Sequence, residues 1–124
     1  MYPLFSVMIG GAVGAGLRYG FGSAISARFG SGFPYGTLAV NLIGGLLMGV
    51  LAGVIAKGGA GENARLLLGV GVLGGFTTFS AFSLDCWGLI ERGNLALAFS
   101  YMALSVLGAL GCLLIGLWLA RSFA

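Results

Sequence analysis

The sequence predicts an all-α membrane protein, a single transmembrane domain over residues 1–124 with four helices per subunit, the third broken at mid-membrane. Three observations carry this. Of the 124 residues 59% are apolar, 25 are glycine and only 7% are charged, whereas a soluble domain needs roughly a quarter charged residues to cover its surface. Four apolar runs each approach the roughly 20 residues required to cross a hydrocarbon core. The charged residues gather mainly at the ends of those runs.

The first run covers about residues 4–26 and stops before Arg28. Its leading segment MYPLFSVMIGG lacks the basic region of a cleaved signal peptide, so it is expected to stay. The second run, about 35–56, ends at Lys57. A polar loop, GGAGENAR, follows. The third run, about 66–90, ends at Glu91 and Arg92, and the fourth, about 95–120, is closed by Arg121. Backbone groups in lipid must pair internally, which makes these runs helices rather than open strands. Strict alternation is absent, which removes a barrel.

Composition also excludes functions. Six basic residues spread singly make no nucleic-acid patch. With no histidine, imidazole catalysis and most zinc chemistry are closed off. No acid–base pair or nucleophile constellation points to an enzyme. Cys86 and Cys112 sit in apolar runs and read as small hydrophobes. Gly69-Val70-Gly71-Val72-Leu73-Gly74 fits the dinucleotide pattern G-x-G-x-x-G, but it lies inside an apolar span without a βαβ unit and reads as helix packing.

An even number of spans puts both termini on one side, with Lys57, Arg65 and Arg121, while Arg28 and Arg92 face the other. That charge split leaves two readings open: orientation set by other factors, or insertion both ways round with pairing into an antiparallel dimer. Four helices are few for enclosing a pathway, so a solute-moving chain of this size is expected to oligomerise. Gly45, Gly49 and Gly53 recur at every fourth position and let another backbone approach. Packing within one subunit and a dimer seam both fit that ridge.

Polar groups inside a membrane are costly, so their places carry information. Arg18 lies in the first run, Thr37 and Asn41 one helical turn apart in the second, and Tyr101 and Ser105 in the fourth. The third holds Gly74-Gly75-Phe76-Thr77-Thr78-Phe79-Ser80-Ala81-Phe82-Ser83, a poor helix former. One reading is a broken helix at a glycine pair, with the carbonyls of Gly74 to Thr77 free to bind a small cation. The other is a continuous glycine-rich helix crossing whose threonine hydroxyls bond back to i−4 carbonyls. Phe79 and Phe82 share a face, and ring edges carry partial positive charge that suits a small anion in a narrow pore.

Three segments resemble the Fluc (CrcB) family of prokaryotic fluoride channels: Gly10 to Tyr19, ending in Arg18-Tyr19; Gly36-Thr37-Leu38-Ala39-Val40-Asn41-Leu42-Ile43-Gly44; and Gly74 to Phe82. The resemblance implies an antiparallel, dual-topology homodimer in the cell inner membrane that passively exports cytoplasmic fluoride. It implies that Phe79 and Phe82 contact fluoride by their ring edges, that Asn41 and Ser80 line the path, and that Arg18 stands near a pore entrance. Thr37, Thr78, Tyr101 and Ser105 join the ion pathway as polar groups beside it. It also implies a structural sodium ion (Na+) at the dimer centre, held by the backbone carbonyls of Gly74 and Thr77 from both subunits. Ala81 stands where the family commonly has Thr, and Asp85 where many members have Glu. Two rivals remain: a small proton-coupled multidrug transporter, whose essential carboxylate only Asp85 could supply, and a non-conducting structural subunit of a larger complex.

Overall fold

The computed structural model describes residues 2–30, 32–59 and 61–123. Helix α1 spans Pro3–Phe29, with proline in its first turn, where no amide partner is lost. It stops at Gly30, whose φ of 91° lies in the region glycine favours. Helix α2 spans Tyr35–Ala56. Helix α3 runs over residues 62–76, with Arg65–Leu73 wound as π-helix. Helix α4 spans Ser80–Glu91 and α5 spans Leu95–Phe123. Together α3 and α4 make up the third of four spans long and apolar enough to cross a membrane. The chain is thus an all-α, multi-pass membrane protein with a broken third span.

The third span differs from expectation in its start and in the place of its break. The third span starts at Glu62 rather than near Leu66, because the loop's last residues wind into a turn carrying an exposed Glu62–Arg65 ion pair. The break falls at Thr77–Phe79, not at the glycine pair. Gly74 keeps helical angles (φ −63°, ψ −38°), while Thr77 turns extended (φ −81°, ψ 158°). The two readings of this segment therefore combine. The chain leaves the helix at Thr77, yet the Thr77 hydroxyl still donates back to the Leu73 carbonyl at 3.0 Å.

The glycines set which helices touch. The Gly45–Gly49–Gly53 ridge packs on α5 within one protomer: a Cβ at Gly45 would lie 2.8 Å from the Ala109 carbonyl oxygen, and one at Gly49 would strike that of Leu113. Gly116 returns the contact against Leu46 and Val50. On the other side, α1 lies along α3 through Gly10, Gly14 and Gly71, and a Cβ at Gly75 would sit 2.7 Å from the Gly11 carbonyl. Hence Gly74 and Gly75 remain helical, and Gly75 serves close approach rather than fracture.

Lys57 joins the ends of two helices. Its Nζ donates to the carbonyls of Ala120 at 3.2 Å and Arg121 at 2.8 Å, placing a cation at the negative end of α5. This contact puts the ends of α2 and α5 on the same side, as four spans require.

The buried core is small. Cys86, Leu89, Ala98 and Tyr101 form it between α4 and α5, with Phe33, Leu38, Phe82 and Met102 packed around. Much of α1 and α5 instead presents large apolar side chains outward, Phe5, Met8, Val13 and Leu17 on one and Leu107, Leu110, Leu114 and Trp118 on the other. With lipid as solvent such faces need no cover.

Candidate ion pathway at the helix break

Breaking a helix in mid-membrane frees polar backbone groups that lipid cannot satisfy. Here a side chain 37 residues away supplies the partners. The Asn41 Nδ2 donates to the Thr78 carbonyl at 3.1 Å, and the Thr78 amide donates to Asn41 Oδ1 at 2.9 Å. This reciprocal pair is the clamp that holds the break open. One Nδ2 hydrogen of Asn41 is left over. The Thr78 hydroxyl accepts the Ala81 amide at 3.2 Å and so caps the first turn of α4.

Arg18 braces the same segment from α1. Its Nε donates to the Gly75 carbonyl at 3.1 Å. Arg18 thus stands beside the break. Among the described residues no amide or side chain donates to the carbonyls of Gly74 or Thr77. These are two neutral oxygens without partners at the end of α3.

Beyond the break the backbone resumes as α4, and the aromatic pair appears as its spacing implies. Phe79 and Phe82 have ring centroids 5.5 Å apart, tilted by 44°. Phe79 is 77% exposed, whereas Phe82 is half-buried against Tyr101, 5.1 Å away. Ser83 donates its hydroxyl to the Phe79 carbonyl at 2.9 Å, which anchors that residue's backbone.

A groove of about 390 Å³ runs past this pair between α2, α4 and α5. Its wall is mostly apolar, with Asn41, Thr77, Thr78 and Ser105 as the polar groups among Phe79, Phe82, Met48 and Leu110. Ser105 is 6% exposed, and its hydroxyl has no hydrogen-bond partner among the described residues. A buried hydroxyl without a partner costs stability unless it serves a ligand. Ser80, on the first turn of α4, stands 3.4 Å from the Thr78 hydroxyl.

Not every sequence candidate joins that groove. Thr37 lines two smaller cavities of about 250 and 260 Å³, one with Asp85 and Arg92, the other with Arg18, Ser23 and Thr78. Thr78 faces both the groove and the Arg18 cavity. Tyr101 is fully buried and donates its hydroxyl to Asp85 Oδ2 at 3.2 Å, so the ring and not the hydroxyl meets Phe82. Asp85 is therefore tied within the protein rather than standing free in the span. Met48 and Ser26 also line these cavities and escape sequence reading, since nothing about their spacing sets them apart.

Comparison with known proteins narrows the reading. Residues 5–117 match the family described as CrcB-like protein, Camphor Resistance (CrcB). A "Fluoride-specific ion channel FluC" of Sphingopyxis alaskensis is 57% identical over 111 residues, covering 89% of this chain and 88% of its own. A protein of that name from Erythrobacter litoralis is 51% identical over 130 residues, covering 100% and 96%, and one from Novosphingobium aromaticivorans is 52% identical over 120 residues, covering 95% of each.

Proposed function

Since the chain belongs to the CrcB family, we propose that it is a passive fluoride-selective channel that lets fluoride out of the cytoplasm across the inner membrane. The observation that carries this is the tilted Phe79–Phe82 pair at a clamped helix break, beside a groove almost without charge. Fluoride is small and strongly hydrated, so a pore must replace its water with donors. The spare Asn41 Nδ2 hydrogen and the Ser80 and Ser105 hydroxyls can donate, and the phenyl edges supply partial positive charge. A cluster of cations would hold any anion, chloride included. Low charge and narrow aromatic walls favour the small ion.

The working unit is an antiparallel, dual-topology homodimer. Phe79 at the lip of an open groove, and a charge split that favours neither orientation, support this arrangement. A structural sodium ion fits the break: the carbonyls of Gly74 and Thr77 are neutral oxygens without donors, the ligand type that hard cations take. Those two residues would hold it, and its charge would bind the two breaks together. Asn41, Thr78, Phe79, Phe82 and Ser105 line the pathway with Ser80 beside Thr78, while Arg18, Thr37 and Tyr101 hold or flank it. Proteoliposomes test the proposal: fluoride efflux without a proton gradient supports a channel, and efflux no faster than from protein-free vesicles refutes it.

A further inference from the structure

Phe79 and Phe82 do not stand alone; they end a line of rings that passes through Phe33, in the turn between α1 and α2, where Phe33 also lies 5.0 Å from the Tyr35 ring. Phe33 meets Tyr101 edge-on, with centroids 5.5 Å apart and planes at 84°. Tyr101 then lies 5.1 Å from Phe82, and Phe82 lies 5.5 Å from Phe79. We infer that Phe33 is a positioning residue for the pore: through the fully buried Tyr101 ring it fixes the angle at which Phe82, and with it Phe79, presents an edge to the ion.

The local sequence builds this support. Pro34 has φ −79° and ψ 67°, and the Tyr35 amide donates to the Phe33 carbonyl at 2.8 Å. These are the angles and the bond of an inverse γ-turn, and the proline ring locks the first angle. Phe33 is thereby held at a fixed direction just before α2 begins. On its far side Tyr101 is pinned through its hydroxyl, which donates to Asp85 Oδ2 at 3.2 Å. A ring held at its hydroxyl and against an aromatic edge has no freedom to tilt. Phe82, tilted by 46° against that ring, inherits its restraint. An aromatic edge-to-face contact depends on orientation as well as volume, so an aliphatic side chain of similar size at position 33 fills the space but loses the direction.

This inference rests on the channel reading. The test uses the full chain in proteoliposomes, with fluoride and chloride efflux measured side by side for wild type, Phe33→Leu and Phe33→Tyr. Phe33→Leu is expected to lower fluoride flux about three- to tenfold, the scale of one ring–ring contact, and to raise the chloride-to-fluoride ratio. Phe33→Tyr, which keeps the ring, should match wild type in both. Support that is merely structural would lower folded yield and leave the ion ratio unmoved. Should Phe33→Leu give no folded protein, Pro34→Ala keeps every ring while freeing the turn, and the same fall is expected. Wild-type conduction with unaltered flux and selectivity in the folded variant overturns this inference alone, as does a Phe33→Tyr loss equal to that of Phe33→Leu. A wild type that carries no fluoride overturns the channel reading and this inference with it.

Discussion

Replacing Asn41 by alanine removes both bonds that hold the Thr78 peptide groups at the break, one donated at 3.1 Å and one accepted at 2.9 Å. Neither the Thr78 amide nor its carbonyl has another partner among the described residues. Stranding a buried polar group costs about 1–3 kcal/mol in protein interiors. Membrane measurements run lower, near 0.6 kcal/mol per bond, because the unfolded chain in lipid finds other partners. Two bonds therefore give a loss of about 1–6 kcal/mol, with about 2 kcal/mol as the expected value. An unfolding titration in mixed micelles reads this directly. Hydrogen exchange at the Thr78 amide localises it, since protection there should fall by at least tenfold, about 1.4 kcal/mol. Fluoride flux should drop by at least tenfold too, because the clamp sets where Phe79 stands. A stability change below about 0.5 kcal/mol, with Thr78 exchange unaltered, would refute the clamp.

Four further outcomes follow from the same geometry. Phe79→Ile removes the aromatic edge from the lip of the groove and should abolish fluoride efflux while the protein still elutes at its wild-type size in detergent. Gly49→Val places a side chain against the Leu113 carbonyl and should separate α2 from α5, a loss of about 2 kcal/mol or more seen as lowered folded yield. Ser105→Ala removes a buried hydroxyl that has no partner among the described residues, so stability should hold or rise by up to about 1 kcal/mol while fluoride flux falls. Lys57→Met strips the cation from the end of α5, at about 1–2 kcal/mol by thermal denaturation, and should leave ion selectivity unchanged.

The helices were legible in the sequence because lipid forces apolar length and internal pairing, and both are written in linear order. The break was legible as a poor helix but misplaced by about one turn. Gly74 and Gly75 are weak helix formers, yet both stay wound, Gly75 packed against Gly11 of α1, and the extended angle falls at Thr77. Spacing alone left the Gly45–Gly49–Gly53 ridge ambiguous, since a ridge does not name the helix it receives; α5 does so only in three dimensions. The Asn41–Thr78 and Arg18–Gly75 bonds, spanning 37 and 57 residues, leave no local trace at all. Tyr101 shows the limit from the other direction. Its hydroxyl is polar in the sequence, but that it donates to Asp85 while its ring packs on Phe82 emerges only in three dimensions.

The proposed channel passes fluoride because its walls are aromatic and nearly uncharged. Purified protein in liposomes loaded with equal fluoride and chloride tests it most directly, with both efflux rates recorded after potassium is released by valinomycin. Rapid fluoride efflux that needs no proton gradient is expected, with chloride at the rate of protein-free vesicles. Chloride leaving as fast as fluoride, or fluoride leaving no faster than from empty vesicles, would contradict it.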